Sequence, residues 1–174
     1  RIEGWELALP ENIKLAYLPS PGIVKLRLNA YGEDKKLLDD TINHQIQKLQ
    51  LLISEYIFGY DDDMLENIVG SKLQQSGKTL SVAESCTGGY IGHLITSVPG
   101  SSKYFKGGII AYSNEIKNNF LSVPETILQQ YGAVSKEVAT MMTQEAMRRF
   151  GTDYAIAVSG IAGPDGGSEE KPVG

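Results

Sequence analysis

One stretch, TLSVAESCTGG at residues 79–89, narrows what this chain can fold into more than any other. Thr79, Leu80, Ser81, Val82 and Ala83 make a short β-type run that stops at Glu84. Ser85, Cys86 and Thr87 follow, and then the glycine pair Gly88 and Gly89. Beyond them Tyr90, Ile91, Leu94 and Ile95 fall at helical spacing, so the polar triplet sits on a strand-to-helix turn. Such a turn places a small nucleophile beside unsatisfied backbone N–H groups at the positive end of a helix dipole, which suits acyl transfer or anion binding. The structural alternative is a capped helix whose hydroxyls bond the backbone, and local sequence alone leaves both open.

The alternation of strand and helix continues downstream. Residues 98–102 (VPGSS) form a loop, residues 108–113 (GIIAYS) read as a buried strand and residues 114–120 as a helix. Pro124 starts another short helix, which Gly132 breaks. Ser135 then serves as N-cap for a helix whose buried face is Val138, Ala139, Met142, Ala146 and Phe150. Residues 154–159 (YAIAVS) form a third core strand, followed by the loop GIAGPDGGSEEKPVG. This order predicts a layered α/β domain over residues 63–174.

Residues 1–62 read as a smaller α+β unit. A hairpin over 13–30 carries Ile13, Leu15 and Tyr17 on one strand and Val24, Leu26, Leu28 and Ala30 on the other, with Pro19, Ser20, Pro21 and Gly22 turning between them. A helix over 33–57 follows, with its apolar stripe at Leu37, Leu38, Ile42, Ile46, Leu49, Ile53 and Ile57. A short strand at 58–60 would complete a β-β-α-β motif. The run Asp61, Asp62, Asp63 is expected to be a solvated linker that caps the next helix, which carries Met64, Leu65, Ile68, Val69 and Leu73 and ends near Gly77.

Composition excludes several classes of function. Sixteen basic against 21 acidic residues give a net charge of −5, which argues against a broad nucleic-acid surface. One cysteine forms no internal disulfide, and His44 and His93 lack the spacing of a metal motif, so a reduced cytoplasmic location and chemistry without metal or cofactor are expected. No apolar run of about 18 residues occurs, and the opening RIEGWELALP lacks the apolar core of a signal peptide. The chain starts at Arg1 and stops at Gly174 as if about to enter a strand, and is read as a fragment. Oligomeric state is not legible; a homo-oligomer is compatible with the sequence.

A serine nucleophile needs a base, and both histidines fall inside helical patterns. The segment AYSNEIK puts Tyr112, Ser113, Asn114 and Lys117 at the end of a strand and the first turn of a helix. In a parallel sheet this end lies at the same edge as Ser85, where open α/β sheets place their sites. A lysine made neutral by desolvation does a histidine's work, so Lys117 is the candidate base and the Tyr112 hydroxyl the candidate relay or orienting group. The structural alternatives are an exposed helix lysine and a core aromatic. Cys86 competes with Ser85 as nucleophile, although only one of two adjacent side chains on an extended turn can face a cleft. In SGIAGPDGG, the glycines after Ser159, beginning with Gly160, allow close approach to a phosphate or oxyanion, or form a plain surface turn.

Taken together, AESCTGGYIG, GGIIAYSNEIK, YGAVS and SGIAGPDGGSEEKPVG resemble the C-terminal domain of the CinA (competence/damage-inducible protein) family, over roughly residues 63–174. The residues before them, with LPENIKLAYLPSPGIVKLRL, look like the KH-type middle domain of full-length members, without a GxxG clamp for RNA. The resemblance implies a layered α/β/α amidase domain, truncated at its C-terminus, behind a small α+β KH-like domain. It also implies hydrolysis of nicotinamide mononucleotide to nicotinate mononucleotide and ammonia in pyridine-nucleotide salvage. By the same resemblance Ser85 matches the nucleophile, Lys117 the base, Tyr112 the assisting hydroxyl and Ser159 a substrate contact. The N–H groups of Thr87, Gly88 and Gly89 would form the oxyanion site, with Gly160 in a loop that could hold the phosphate. Family members continue into further strands and a helix with a substrate-contacting arginine, so the fragment alone is expected to fall short of full activity. The competing class is a nucleotide-binding or regulatory module without turnover.

Overall fold

The computed structural model describes residues 1–173, and the last residue of the expected 63–174 domain, Gly174, lies outside the described residues. The chain divides into two compact units, Arg1–Phe58 and Gly59–Gly174.

The first unit contains α1 (Glu3–Leu7), β1 (Ile13–Ser20), β2 (Ile23–Ala30) and α2 (Lys35–Ile53), ending in a 3-10 turn at Ser54–Tyr56. The two strands pair antiparallel from Ile13 with Ala30 to Ser20 with Ile23, as the alternation of side chains dictates. Asp34 caps α2, its carboxylate accepting from the Leu37 N–H at 3.1 Å. Sequence periodicity gives no sign of α1, which is too short to show one. Trp5 fixes it: the ring is buried and its indole N–H donates to the Gln45 carbonyl at 3.2 Å.

The short strand expected at 58–60 is absent. The Tyr60 N–H donates to the Asp63 carboxylate at 2.9 Å, and a Cβ on Gly59 would lie 2.6 Å from the Asp63 Cβ, so the backbone turns here instead of extending. The same bond occupies Asp63. Helix α3 (Leu65–Ser76) therefore starts at Met64 with no side-chain cap, and ends on Gly77 in the left-handed conformation.

The second unit continues with β3 (Leu80–Glu84), α4 (Tyr90–Thr96), β4 (Phe105–Ile110), α5 (Asn114–Leu121), α6 (Glu125–Tyr131), α7 (Lys136–Phe150) and β5 (Tyr154–Val158). The sheet is parallel throughout, in the order β4-β3-β5. All of β3 is buried, because helices cover both faces of the sheet. Ala83 belongs to a core with Leu121 of α5, Leu128 of α6 and Val138, Met142 and Ala146 of α7. Leu80 and Val82 pack on the other face with Leu73 of α3, Ile95 of α4 and Tyr104. Each buried Leu, Ile, Val or Met among these contributes roughly 1.5–3 kcal/mol by leaving water, and each alanine less. The layered α/β architecture is the one the alternation predicts.

Strand β4 begins three residues earlier than the apolar run at 108–113 suggests. Ala111 extends its pairing by donating to the Glu84 carbonyl at 2.6 Å, and Tyr112 and Ser113 lead into α5. The early start works because Gly108 lets the strand lie close to β3: a Cβ there would stand 2.9 Å from the Val82 carbonyl oxygen and strike its side chain, while a Cβ on Gly107 would stand 3.1 Å from the Phe150 ring. Gly108→Ala should therefore lower stability by about 1–3 kcal/mol through overpacking. Urea unfolding reads this directly, and a midpoint equal to wild type would mean that β4 can slide away from Val82. No helix among the described residues is long and apolar enough to cross a membrane.

Candidate active site

Because β3, β4 and β5 run in the same direction, their carboxyl ends meet at one edge of the sheet. Ser85 follows β3, Ala111 and Tyr112 follow β4, and Ser159 follows β5. This edge is where open parallel sheets carry their sites.

Ser113 caps α5, its hydroxyl accepting from the Ile116 N–H at 3.2 Å. The cap sets the helix phase, and Lys117, one turn in, is turned into the protein with 1% of its surface exposed. Its Nζ donates to the Ser85 Oγ at 3.0 Å, to the Ala111 carbonyl at 2.8 Å and to the Tyr112 carbonyl at 3.2 Å. The exposed-lysine alternative is thereby overturned. Burial strips hydration from the ammonium and pulls the Lys117 pKa below its ordinary value, while the neighbouring Cys86 acts in the opposite sense and more weakly. No carboxylate bonds to Lys117 among the described residues.

Ser85 is held as tightly. It is 7% exposed, and its N–H donates to the Val158 carbonyl at 2.9 Å, which pins the turn against the end of β5. Tyr112 meets the pair differently from the sequence-based expectation. Its ring is 74% exposed, its hydroxyl makes no hydrogen bond to Ser85 or Lys117, and what reaches Lys117 is its carbonyl.

The residue that sequence reasoning missed is Glu84. Its carboxylate, 1% exposed, accepts from the Thr87 hydroxyl at 2.7 Å and from the N–H groups of Gly89 at 3.1 Å, Ile91 at 3.0 Å and Gly92 at 2.7 Å. Burial pushes its pKa up, but these four bonds together outweigh burial and hold it below the usual value. The donors expected at Gly88 and Gly89 are consequently engaged, Gly88 with the Ser85 carbonyl at 3.1 Å and Gly89 with Glu84. Among the described residues the N–H groups of Cys86 and Thr87, the two that follow Ser85, have no hydrogen-bond partner.

The other candidates have structural partners. Cys86 packs against the last loop, where a Cβ on Gly160 would lie 3.3 Å from its Sγ. The Ser159 hydroxyl donates to the Ala133 carbonyl at 2.7 Å, tying β5 to the start of α7. Part of the glycine loop packs on itself: a Cβ on Gly167 would meet the Val173 side chain at 2.8 Å. Lys171 Nζ donates to the Tyr131 carbonyl at 2.8 Å and fastens the loop to the end of α6. The exposed His93 stacks on Tyr90, and His44 lies in the other unit. A groove lined by Asn114, Asn118, Glu125 and Gln129 includes neither Ser85 nor Lys117. No group of three or more His, Cys, Asp or Glu side chains able to hold a metal ion occurs among the described residues.

Ser85 and Lys117 thus form a buried hydroxyl–amine pair beside two open N–H groups, an arrangement suited to acyl transfer. Comparison with known proteins matches the region that contains it to one family. Residues 62–174 match the family described as the CinA C-terminal domain. A CinA-like protein of Cytophaga hutchinsonii is 50% identical over 173 residues, covering 99% of this chain and 41% of the relative. Another, of Flavobacterium psychrophilum, is 48% identical over 175 residues, covering 100% and 42% respectively. The chain therefore spans about two-fifths of the length of these curated relatives. Among solved structures, the competence/damage inducible protein CihA of Agrobacterium tumefaciens aligns with a TM-score of 0.60 at 39% identity, covering 67% of this chain and 71% of that one. A competence-damaged protein (CinA) superfamily structure from Escherichia coli aligns with a TM-score of 0.62 at 31% identity, covering 67% and 70%.

Proposed function

The chain belongs to the CinA family, and on that premise we propose that it hydrolyses a carboxamide, converting nicotinamide mononucleotide to nicotinate mononucleotide and ammonia in cytoplasmic pyridine-nucleotide salvage. The observation that carries this reading is the 3.0 Å contact between the Ser85 Oγ and the Nζ of a fully buried lysine.

The lysine works as a base only when neutral, and its surroundings favour that form. As a neutral amine it has two N–H bonds to give, and the Ala111 and Tyr112 carbonyls accept two. The lone pair is then left for the Ser85 hydroxyl. The Ser85 proton passes to Lys117 as Oγ bonds to the amide carbon, and the carbonyl π pair moves onto oxygen beside the Cys86 and Thr87 N–H groups. Lys117 returns the proton to the departing nitrogen, the C–N bond breaks, and ammonia leaves an acyl-serine. Water then attacks with Lys117 again taking the proton, the C–Oγ bond breaks, Ser85 is reprotonated, and the acid is released. Tyr112, exposed beside the pair, is assigned to substrate orientation, and Ser159 and Gly160 border the site without a chemical step.

The N-terminal unit is read as the family's KH-type domain, with no RNA-binding role. The proposal is tested by ammonia release from nicotinamide mononucleotide, measured on the whole protein. Release that follows protein concentration is the expected result. Nucleotide binding without release would replace the amidase with the non-catalytic nucleotide-binding or regulatory module.

A further inference from the structure

We propose that Glu84 is a positioning residue for this reaction, an internal anion that decides which N–H groups of the nucleophile turn remain open to substrate. The proposal rests on the amidase reading above.

It begins with the pleat of β3. Side chains alternate along the strand, so Leu80 and Val82 enter one core and Ala83 the other. Glu84 shares the face of Leu80 and Val82, the face that α4 covers, and it is the last strand residue before the chain turns back over it as that helix. A carboxylate there meets the N–H groups that the first turn of a helix leaves unsatisfied. The helix approaches to within ordinary contact of the carboxylate at Gly92, where a Cβ would stand 3.4 Å from the Glu84 Oε1.

Four donors converge on this carboxylate, the Thr87 hydroxyl and the Gly89 and Ile91 N–H groups on Oε2 and the Gly92 N–H on Oε1, so both oxygens are engaged within the protein. Two consequences follow for chemistry. The start of α4 already holds a negative charge, so the substrate's own anionic group must be bound elsewhere. In addition, with Gly88 bonded to the Ser85 carbonyl and Gly89, Ile91 and Gly92 bonded to Glu84, the donors of the turn left unpaired among the described residues are those of Cys86 and Thr87. Thr87 is restrained by its own side chain, since the hydroxyl bonded to Glu84 belongs to the residue whose N–H is open. Glu84 touches no reacting atom. It acts by holding these donors in place before substrate arrives, and preorganised donors are worth most in the transition state.

Glutamine is nearly isosteric but presents an NH2 group to one of the four donors, so at least one bond must break. In the whole protein, Glu84→Gln should lower kcat for amide hydrolysis by about 30- to 300-fold, at or below the lower part of the range of roughly 10²–10³ found on losing an oxyanion donor outright, because the donors are loosened rather than removed, with KM changed by less than about threefold. Ser85 labelling by a fluorophosphonate, followed by mass, should slow at least about tenfold, because phosphonylation uses the same donors. Thr87→Val, which removes one donor and leaves the carboxylate, should lower kcat about tenfold per folded molecule, with a loss of stability that urea unfolding reads separately from the rate.

Turnover of Glu84→Gln within threefold of wild type would overturn the proposal, as would kcat falling only in proportion to the loss of folded protein. If Glu84→Gln does not fold, a wild-type rate in Thr87→Val has the same force. A wild type that releases no ammonia counts against the amidase reading alone. Labelling then decides on Glu84: slower labelling of a folded Glu84→Gln or Thr87→Val supports the role, and equal rates or an unreactive wild-type Ser85 remove it.

Discussion

Ser85→Ala is expected to reduce amide hydrolysis by the whole protein about 10⁴-fold or more, while Cys86→Ala keeps turnover within about fivefold. The two residues are adjacent, but their surroundings separate them. The Ser85 Oγ lies 3.0 Å from the Lys117 Nζ, and the Cys86 thiol packs against Gly160. Removing the serine hydroxyl leaves Lys117 bonded to the Ala111 and Tyr112 carbonyls, so the fold and the base survive. Nicotinate mononucleotide should still bind Ser85→Ala within about threefold of wild type by calorimetry, because the lost group serves bond formation rather than recognition. Turnover retained in Ser85→Ala and lost in Cys86→Ala would transfer the nucleophile role to the thiol.

The residues that could be read from sequence are those whose placement is local. The run ending at Glu84, the polar triplet and the glycine pair announce a strand-to-helix turn, and Ser113 and Ser135 announce the caps that the structure contains. Three apolar runs separated by helices give a parallel sheet, and parallel strands bring Ser85, Tyr112 and Ser159 to one edge without further information. What sequence does not carry is the direction of a side chain after a chain reversal. Lys117 could be proposed as a base, but its burial depends on the phase of α5 against the sheet. Tyr112 is readable as a candidate from its place at the strand end, but not the bond its carbonyl accepts from Lys117. The role of Glu84 is not legible locally, because its partners lie three to eight residues ahead and become neighbours only when α4 folds back over β3. The absent strand at 58–60 has a similar origin, in the bond between Tyr60 and Asp63 that apolar periodicity does not register.

Lys117→Met provides the second large effect and the most direct test of how the base is tuned. It should lower kcat by about 10²–10⁴-fold, the usual share of a general base, with KM little altered. In wild type, kcat/KM should rise with pH through the folded-state pKa of Lys117, which burial holds below the ordinary lysine value, and then level off. Stability carries the same signature. Between that depressed pKa and the unfolded value of about 10.4, the unfolded chain binds the extra proton, so unfolding free energy increases with pH across the window. Below the folded pKa both states are protonated, the slope vanishes, and the contribution is gone. The Met variant lacks this term. The difference in Tm, wild type minus variant, should therefore climb as pH is raised through the window, with wild type gaining. The offset at a single pH is not diagnostic, because the variant removes a desolvated amine and also leaves two buried carbonyls without that donor. The slope isolates the proton. Parallel curves would mean that Lys117 titrates like an exposed lysine, and an unchanged kcat in the variant would put the base on another residue.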